Sequence, residues 1–135
     1  MYLKEKSTYL DFKIENTNDN IGINPDDNWC LVNIIIKNEE IDYSAYKKML
    51  TKKELFSTIA KLKNLIGNNL IRTENLIFIK NYFSMKLYLD KENNKVLEIK
   101  MIGLTKIIPN LNNYTIKMVN DEIIQFVELL ESQIN

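Results

Sequence analysis

Asn28-Trp29-Cys30-Leu31-Val32-Asn33-Ile34-Ile35-Ile36-Lys37 is the stretch whose reading decides the fold. A strand turns successive side chains to opposite faces. One face would then carry Trp29, Leu31 and Ile35, interrupted by Asn33; the other would carry Cys30, Val32, Ile34 and Ile36. Both faces are apolar, which predicts a strand buried on two sides near the middle of a sheet. Its β-branched and aromatic residues suit a crowded pleated surface.

Working outward, Thr8 to Glu15 alternates, with Leu10, Phe12 and Ile14 on one face and Asp11, Lys13 and Glu15 on the other, the pattern of a half-buried strand. Between these strands, Asn16 to Asn28 is rich in Asn and Asp and holds Gly22 and Pro25, the chemistry of a loop. Downstream, Asn38-Glu39 predicts a turn and Ile41, Tyr43 and Ala45 a returning strand. Thr51 and Glu54 form a capping box, with Leu50 and Leu55 at the staple positions, so a helix starts there. Its stripe is Leu55, Ile59, Leu62 and Ile66, and Gly67 stands as its stop.

Four further strands are expected. Asn75 to Asn81, apolar on both faces through Leu76, Ile77, Phe78 and Ile79, reads as interior. Phe83, Met85, Leu87 and Leu89 alternate with polar residues, Asp90 to Asn94 supplies a hairpin turn, and Leu97, Ile99 and Met101 alternate again. A slip of phase at Ile102-Gly103 suggests a bulge. After a loop at Pro109 to Asn113, Tyr114, Ile116 and Met118 mark the last strand. A closing helix is predicted with Asn120 as its cap, Asp121 and Glu122 at the positive end of the dipole, and Val119 with Ile124 as a staple. Ile123, Val127, Leu130 and Ile134 form its stripe, widened by Phe126 and Leu129. The class is α+β: a single domain over residues 1–135, one twisted antiparallel β-sheet of about six to seven strands with two amphipathic helices packed on it.

Composition narrows the chemistry. The 135 residues carry 18 basic and 18 acidic side chains, a net charge of zero. That removes a global electrostatic case for nucleic acid or an anionic membrane. No apolar run approaches the ~20 residues of a membrane span, and no signal core follows Met1 to Lys6, so a cytoplasmic protein is expected. There is no His, which excludes His-based acid–base catalysis, Ser-His and Cys-His nucleophiles and ordinary zinc sites. Cys30, the one cysteine, falls within the central strand, where a small buried hydrophobe is the expected role. Gly22, Gly67 and Gly103 are too far apart for a phosphate loop.

Asn16, Asn18, Asn20 and Asp27 occupy the first, third, fifth and twelfth positions of a calcium-loop register. The sixth is Ile21 where Gly is needed, and no Glu closes the loop. No metal and no cofactor are therefore expected, and no catalytic residues. Tyr43, Tyr46, Tyr82 and Tyr88 are candidates to line a small-molecule pocket.

Charge is unevenly spread. Lys47 to Lys63 holds six Lys and one Glu, read as a solvated helix face. Glu15 to Asp27 holds four acids and no base: Glu15, Asp19, Asp26 and Asp27. This loop is longer than a hairpin needs and leads straight into the central strand. Long loops on a rigid sheet often carry binding, so these four acids are the candidate partner-binding residues, suited to a basic partner.

In this order of elements the chain resembles the WapI-type family of small bacterial immunity proteins, which are paired with contact-dependent polymorphic toxins. The features that carry the resemblance are the early strand Leu10-Asp11-Phe12-Lys13-Ile14, the segment Asp27-Asn28-Trp29-Cys30-Leu31-Val32-Asn33-Ile34 after a variable acidic loop, and Leu50-Thr51 with Glu54-Leu55 at a helix start. Glu74-Asn75-Leu76-Ile77-Phe78 is similar to the family's Glu-Pro-x-Leu-x-Phe strand, with Asn75 in the Pro position. The resemblance implies a non-catalytic protein that binds a cognate toxin domain and occludes it. A structural or adaptor domain with another partner, and a small-molecule-binding domain using the sheet concavity, are the alternatives.

Overall fold

The computed structural model describes residues 1–16, 28–70, 72–103 and 113–134. Its elements run β1 (Tyr2–Leu3), β2 (Thr8–Asn16), β3 (Trp29–Lys37), β4 (Asp42–Thr51), α1 (Lys52–Ile66), β5 (Glu74–Ile77), β6 (Phe83–Leu89), β7 (Lys95–Ile102), β8 (Asn113–Val119) and α2 (Asp121–Glu131). The class is α+β and every strand pairing is antiparallel, as hairpin-linked neighbours require.

The single sheet expected from the sequence is instead two four-stranded sheets, β1-β2-β3-β4 and β5-β6-β7-β8. Within each sheet most strands follow their neighbours through turns. Between β4 and β5 the chain passes through all of α1, and strands joined by a helix are under no local obligation to pair. Alternation along a strand shows which face is buried, but not which sheet the strand joins.

The two sheets share one core. Leu10, Phe12 and Ile14 of β2, and Cys30, Val32, Ile34 and Ile36 of β3, are buried with Phe83, Met85 and Leu87 of β6 and Ile116 and Met118 of β8. Each helix touches a strand of either sheet: α1 meets β4 and β6, and α2 meets β2 and β8. Phe12 sits at the junction. Its ring meets Phe83 edge-on at 5.9 Å and Phe126 of α2 edge-on at 5.7 Å.

β3 is interior to its sheet, as expected, but it is not buried on both sides. Cys30, Val32, Ile34 and Ile36 are sealed, whereas Trp29, Leu31, Asn33 and Ile35 stay partly exposed. The helices and the second sheet all cover the other face.

The start of α1 is the one read from sequence. Thr51 accepts the Glu54 N–H at 3.1 Å, and the Glu54 carboxylate accepts the Thr51 N–H at 3.0 Å. Leu50 and Leu55 are buried on either side of this cap. Leu65 rather than Ile66 completes the buried stripe. At the far end Gly67 is the cap residue with φ −81°, and the left-handed conformation falls to Asn68, φ +62°. Thr51→Ala would remove one side of the reciprocal cap and should lower stability by about 1 kcal/mol, read as a shifted denaturant midpoint.

α2 departs from its reading. Asn120 makes no side-chain cap to the helix. Its Oδ1 instead accepts the Lys95 N–H at 3.0 Å, tying the helix start to the β6–β7 hairpin. Glu122 anchors the helix start to its surroundings: one carboxylate oxygen accepts the Val119 N–H at 3.0 Å and the other the Lys4 N–H at 2.8 Å. Ile124, expected in a staple, remains 38% exposed, and Ile123, Phe126, Val127 and Leu130 form the buried stripe.

The bulge lies elsewhere than expected. The register shifts between Cys30 and Leu31, which face Leu50 and Lys48, so Met49 is the extra residue. β7 keeps its register to its end, and Gly103 leaves it at φ +73°, a conformation a side chain would strain. The Asp90–Asn94 turn forms as read, with Asp90 Oδ1 accepting the N–H groups of Glu92 and Asn94.

Strand edges are managed unequally. Beyond the short β1, the free side of β2 is covered by Gln133, whose amide donates to Phe12 O at 2.9 Å and accepts the Ile14 N–H at 2.8 Å. The side chain thus supplies the donor and acceptor a neighbouring strand would have supplied. β5, expected in the interior of a sheet, is an edge strand instead. Leu76 and Phe78 point inward, but Ile77 is 80% and Ile79 73% exposed.

Candidate partner-binding face

The outer face of the first sheet, half-buried and covered by no other element among the described residues, is built from alternate residues of β2, β3 and β4. Glu15 lies across from Leu31, which lies across from Lys48; Lys13, Asn33 and Tyr46 form the next row, and Asp11, Ile35 and Ser44 the one after. An apolar strip of Trp29, Leu31 and Ile35 is therefore flanked by charge on both sides. Strand pleating places these residues together, because everything odd-numbered in β3 faces away from the core.

Glu15, one of the four acids picked from sequence, is exposed at the end of this face. Its carboxylate accepts a hydrogen bond from the Tyr46 hydroxyl at 2.6 Å, and that bond is the main cause holding the Tyr46 phenol above its ordinary pKa. Tyr46 is itself 53% exposed. At the same end the Lys80 ammonium sits 4.7 Å above the Trp29 ring, a cation–π contact linking this sheet to the β5–β6 connection. Asp19, Asp26 and Asp27 lie outside the described residues, as do the calcium-register positions Asn18, Asn20 and Ile21. Asn28 and Asn16, which flank that loop, place its two ends beside Glu15 and Trp29. Sequence reasoning missed the part of Tyr46 and of Ile35. The signal lay in the register, which pairs Asn33 with Tyr46 and Asp11 with Ile35, and register is set by the hairpin turn.

Reactive groups do not gather. Cys30 is fully buried, and desolvation pushes its thiol upward, away from the nucleophilic thiolate. The four tyrosines are spread out: Tyr43 in the core, Tyr46 on the open face, Tyr82 beneath the Lys47 ammonium, and Tyr88 against Glu98 on the second sheet. Tyr88 is pushed up to about 12, first by desolvation and then by the Glu98 carboxylate that accepts its proton. Both causes favour the neutral phenol of the folded state. That contribution is complete below the ordinary value of 10.0 and is lost as pH rises through about 12. An ultraviolet titration should therefore place Tyr88 among the late-ionising tyrosines, with its transition moving towards the ordinary range in Glu98→Ala.

Among the described residues there is no group of three or more Cys, Asp or Glu side chains arranged to hold a metal ion, and no helix long and apolar enough to cross a membrane. Open grooves are present, one of about 440 Å³ between α1 and β5 and one of about 390 Å³ between the end of α1 and Arg72.

The geometry is thus that of an exposed, mixed apolar and charged sheet face. Comparison with curated proteins and with solved structures gives no match. The sequence profile of the immunity protein WapI-like family matches residues 1–135, the full length of the chain, in agreement with the resemblance seen in its strands and helix start. The chain belongs to the immunity protein WapI-like family.

Proposed function

We propose that residues 1–135 act as a single α+β domain that neutralises a cognate bacterial toxin domain in the cytoplasm by binding and occluding it, without catalysis. The observation that carries this reading is the family match over the whole chain. Two structural features support it. The open face of the first sheet combines an apolar strip with flanking charges, the composition of a protein interface. Glu15 stands at the edge of that face, where the acidic loop leaves the sheet, and a basic partner would be drawn there first.

The contact is assigned to Glu15, Asp19, Asp26 and Asp27 together with the open face. Co-expression with the toxin domain encoded beside this chain's gene should restore growth, and the two proteins should co-purify. Reversal of all four acids to Lys should weaken binding by on the order of tenfold or more, chiefly through slower association and with steep salt dependence. Calorimetric titration reads the affinity. Unchanged affinity would remove the loop from the contact; survival without co-purification would argue against occlusion.

A further inference from the structure

We infer that the β5 edge is a docking strand for an extended segment of the partner in which acidic and apolar side chains alternate. The inference deepens the binding reading above, and rests on it only for the partner's identity.

The edges of the first sheet are covered or charged. β2 has Gln133 against its free backbone, and the Met1 N–H and C=O pair with Leu10 just ahead of it. β4 presents Asp42, Ser44, Tyr46 and Lys47 on its exposed positions. Charges and covers of this kind stop an edge from recruiting strands. Among the described residues β5 is defended by its brevity, four residues, and, just past its end, by the Glu54 carboxylate, which accepts the Ile79 N–H at 2.8 Å. Among the described residues it pairs with β6 alone. The side chains it turns outward are Asn75 and Ile77, and Ile79, two residues past its end, is exposed as well. Two large β-branched apolar groups beside an unpaired backbone are what strand addition uses: main-chain bonds for affinity, alternate side chains for specificity.

The surroundings select the sign of charge. The groove between β5 and α1 is bordered by Lys53, Ser57 and Lys61 of the helix. The depression on the other side of the strand, about 330 Å³, is bordered by Lys86 and Lys100. Of the carboxylates nearby, Glu54 holds the α1 cap and Ile79, and Glu98 holds the Tyr88 hydroxyl; Glu74, at the start of β5, lines a groove with the cations Lys61 and Arg72. An incoming strand would thus find ammonium groups on both flanks and isoleucine in between. Acidic side chains alternating with apolar ones match that pattern.

The test titrates the isotopically labelled chain with two synthetic heptapeptides, one alternating Glu and Val, the other alternating Lys and Val, followed by amide NMR. The acidic peptide should shift the resonances of residues 74–79 and the basic one should leave them in place. In Lys53→Glu/Lys61→Glu the shifts should be lost, with the melting temperature measured alongside to show that the fold is retained; Lys53 is exposed and Lys61 half-buried. No shift at 74–79, equal shifts with both peptides, or shifts that grow with chain concentration alone (a second copy pairing at this edge) would overturn the inference. In the toxin complex the same amides should be protected from exchange; a complex that leaves them unprotected also overturns it. Failure of the toxin to bind at all, with the peptide response intact, counts against the toxin reading alone.

Discussion

Phe12→Ala is expected to cost about 3–5 kcal/mol, enough to unfold a large share of a domain whose whole stability is on the order of 5–15 kcal/mol. Phe12 is 1% exposed, and its ring is the piece through which β2, β6 and α2 meet. Truncation removes the transfer free energy of the ring and both edge-to-face contacts, and it opens a void between two sheets and a helix that cannot all move inward together. The melting temperature should fall by roughly 10–20 °C for a chain of this size. Phe12→Leu keeps most of the volume and should lose less than half as much. A drop of only a few degrees for the Ala variant would mean that the sheets are held apart from this junction. In cells the same loss would lower protein abundance and so protection from the toxin, with no change at the binding face.

Glu122→Ala is the second large effect, expected at about 3 kcal/mol. The carboxylate is 8% exposed and satisfies two backbone donors from distant parts of the chain, Val119 and Lys4. Its removal leaves two N–H groups without an acceptor and frees the first residues from α2. Each hydrogen bond to a charged group contributes about 1.5–3 kcal/mol, and a stranded buried donor adds its own desolvation cost. Glu122→Gln retains one acceptor oxygen but brings an NH2 against the other N–H, so an intermediate loss is expected. Chemical denaturation resolves the series. Exchange of the Lys4 amide should accelerate in the Ala variant well beyond what the global change explains. Equal exchange would show that Glu122 acts only on the helix.

Local features were legible in the sequence where the physics is local. The Thr51–Glu54 cap, the Asp90 turn and the inward stripes of β2 and β8 need only near neighbours, and they formed as read; in β6 Phe83, Met85 and Leu87 are buried but Leu89, at the strand end, is 46% exposed. The reading failed where partners lie far off. Nothing local in Ile77 or Ile79 says whether another strand will cover them, and an apolar pair at an edge has the same pattern as an interior one. The outward face of β3 misled for the same reason. Asn120 has the right residue type for a cap, but the Lys95 N–H competes for its side chain, and that donor sits 25 residues away. Glu122 in turn ties the start of α2 to Lys4, 118 residues away. Of the candidate site, the exposed acid Glu15 was legible from alternation; its bond to Tyr46 needed the β3–β4 register.

The amide of Gln133 reaches Phe12 across 121 residues of chain. During synthesis, at roughly 5–20 residues per second, β2 leaves the ribosome on the order of ten seconds before the side chain that seals it exists. Throughout that interval the nascent chain carries a bare β edge flanked by Leu10, Phe12 and Ile14. Holding by a chaperone, or temporary pairing with another segment of the same nascent chain, would have to keep that edge from aggregating until the last turn arrives.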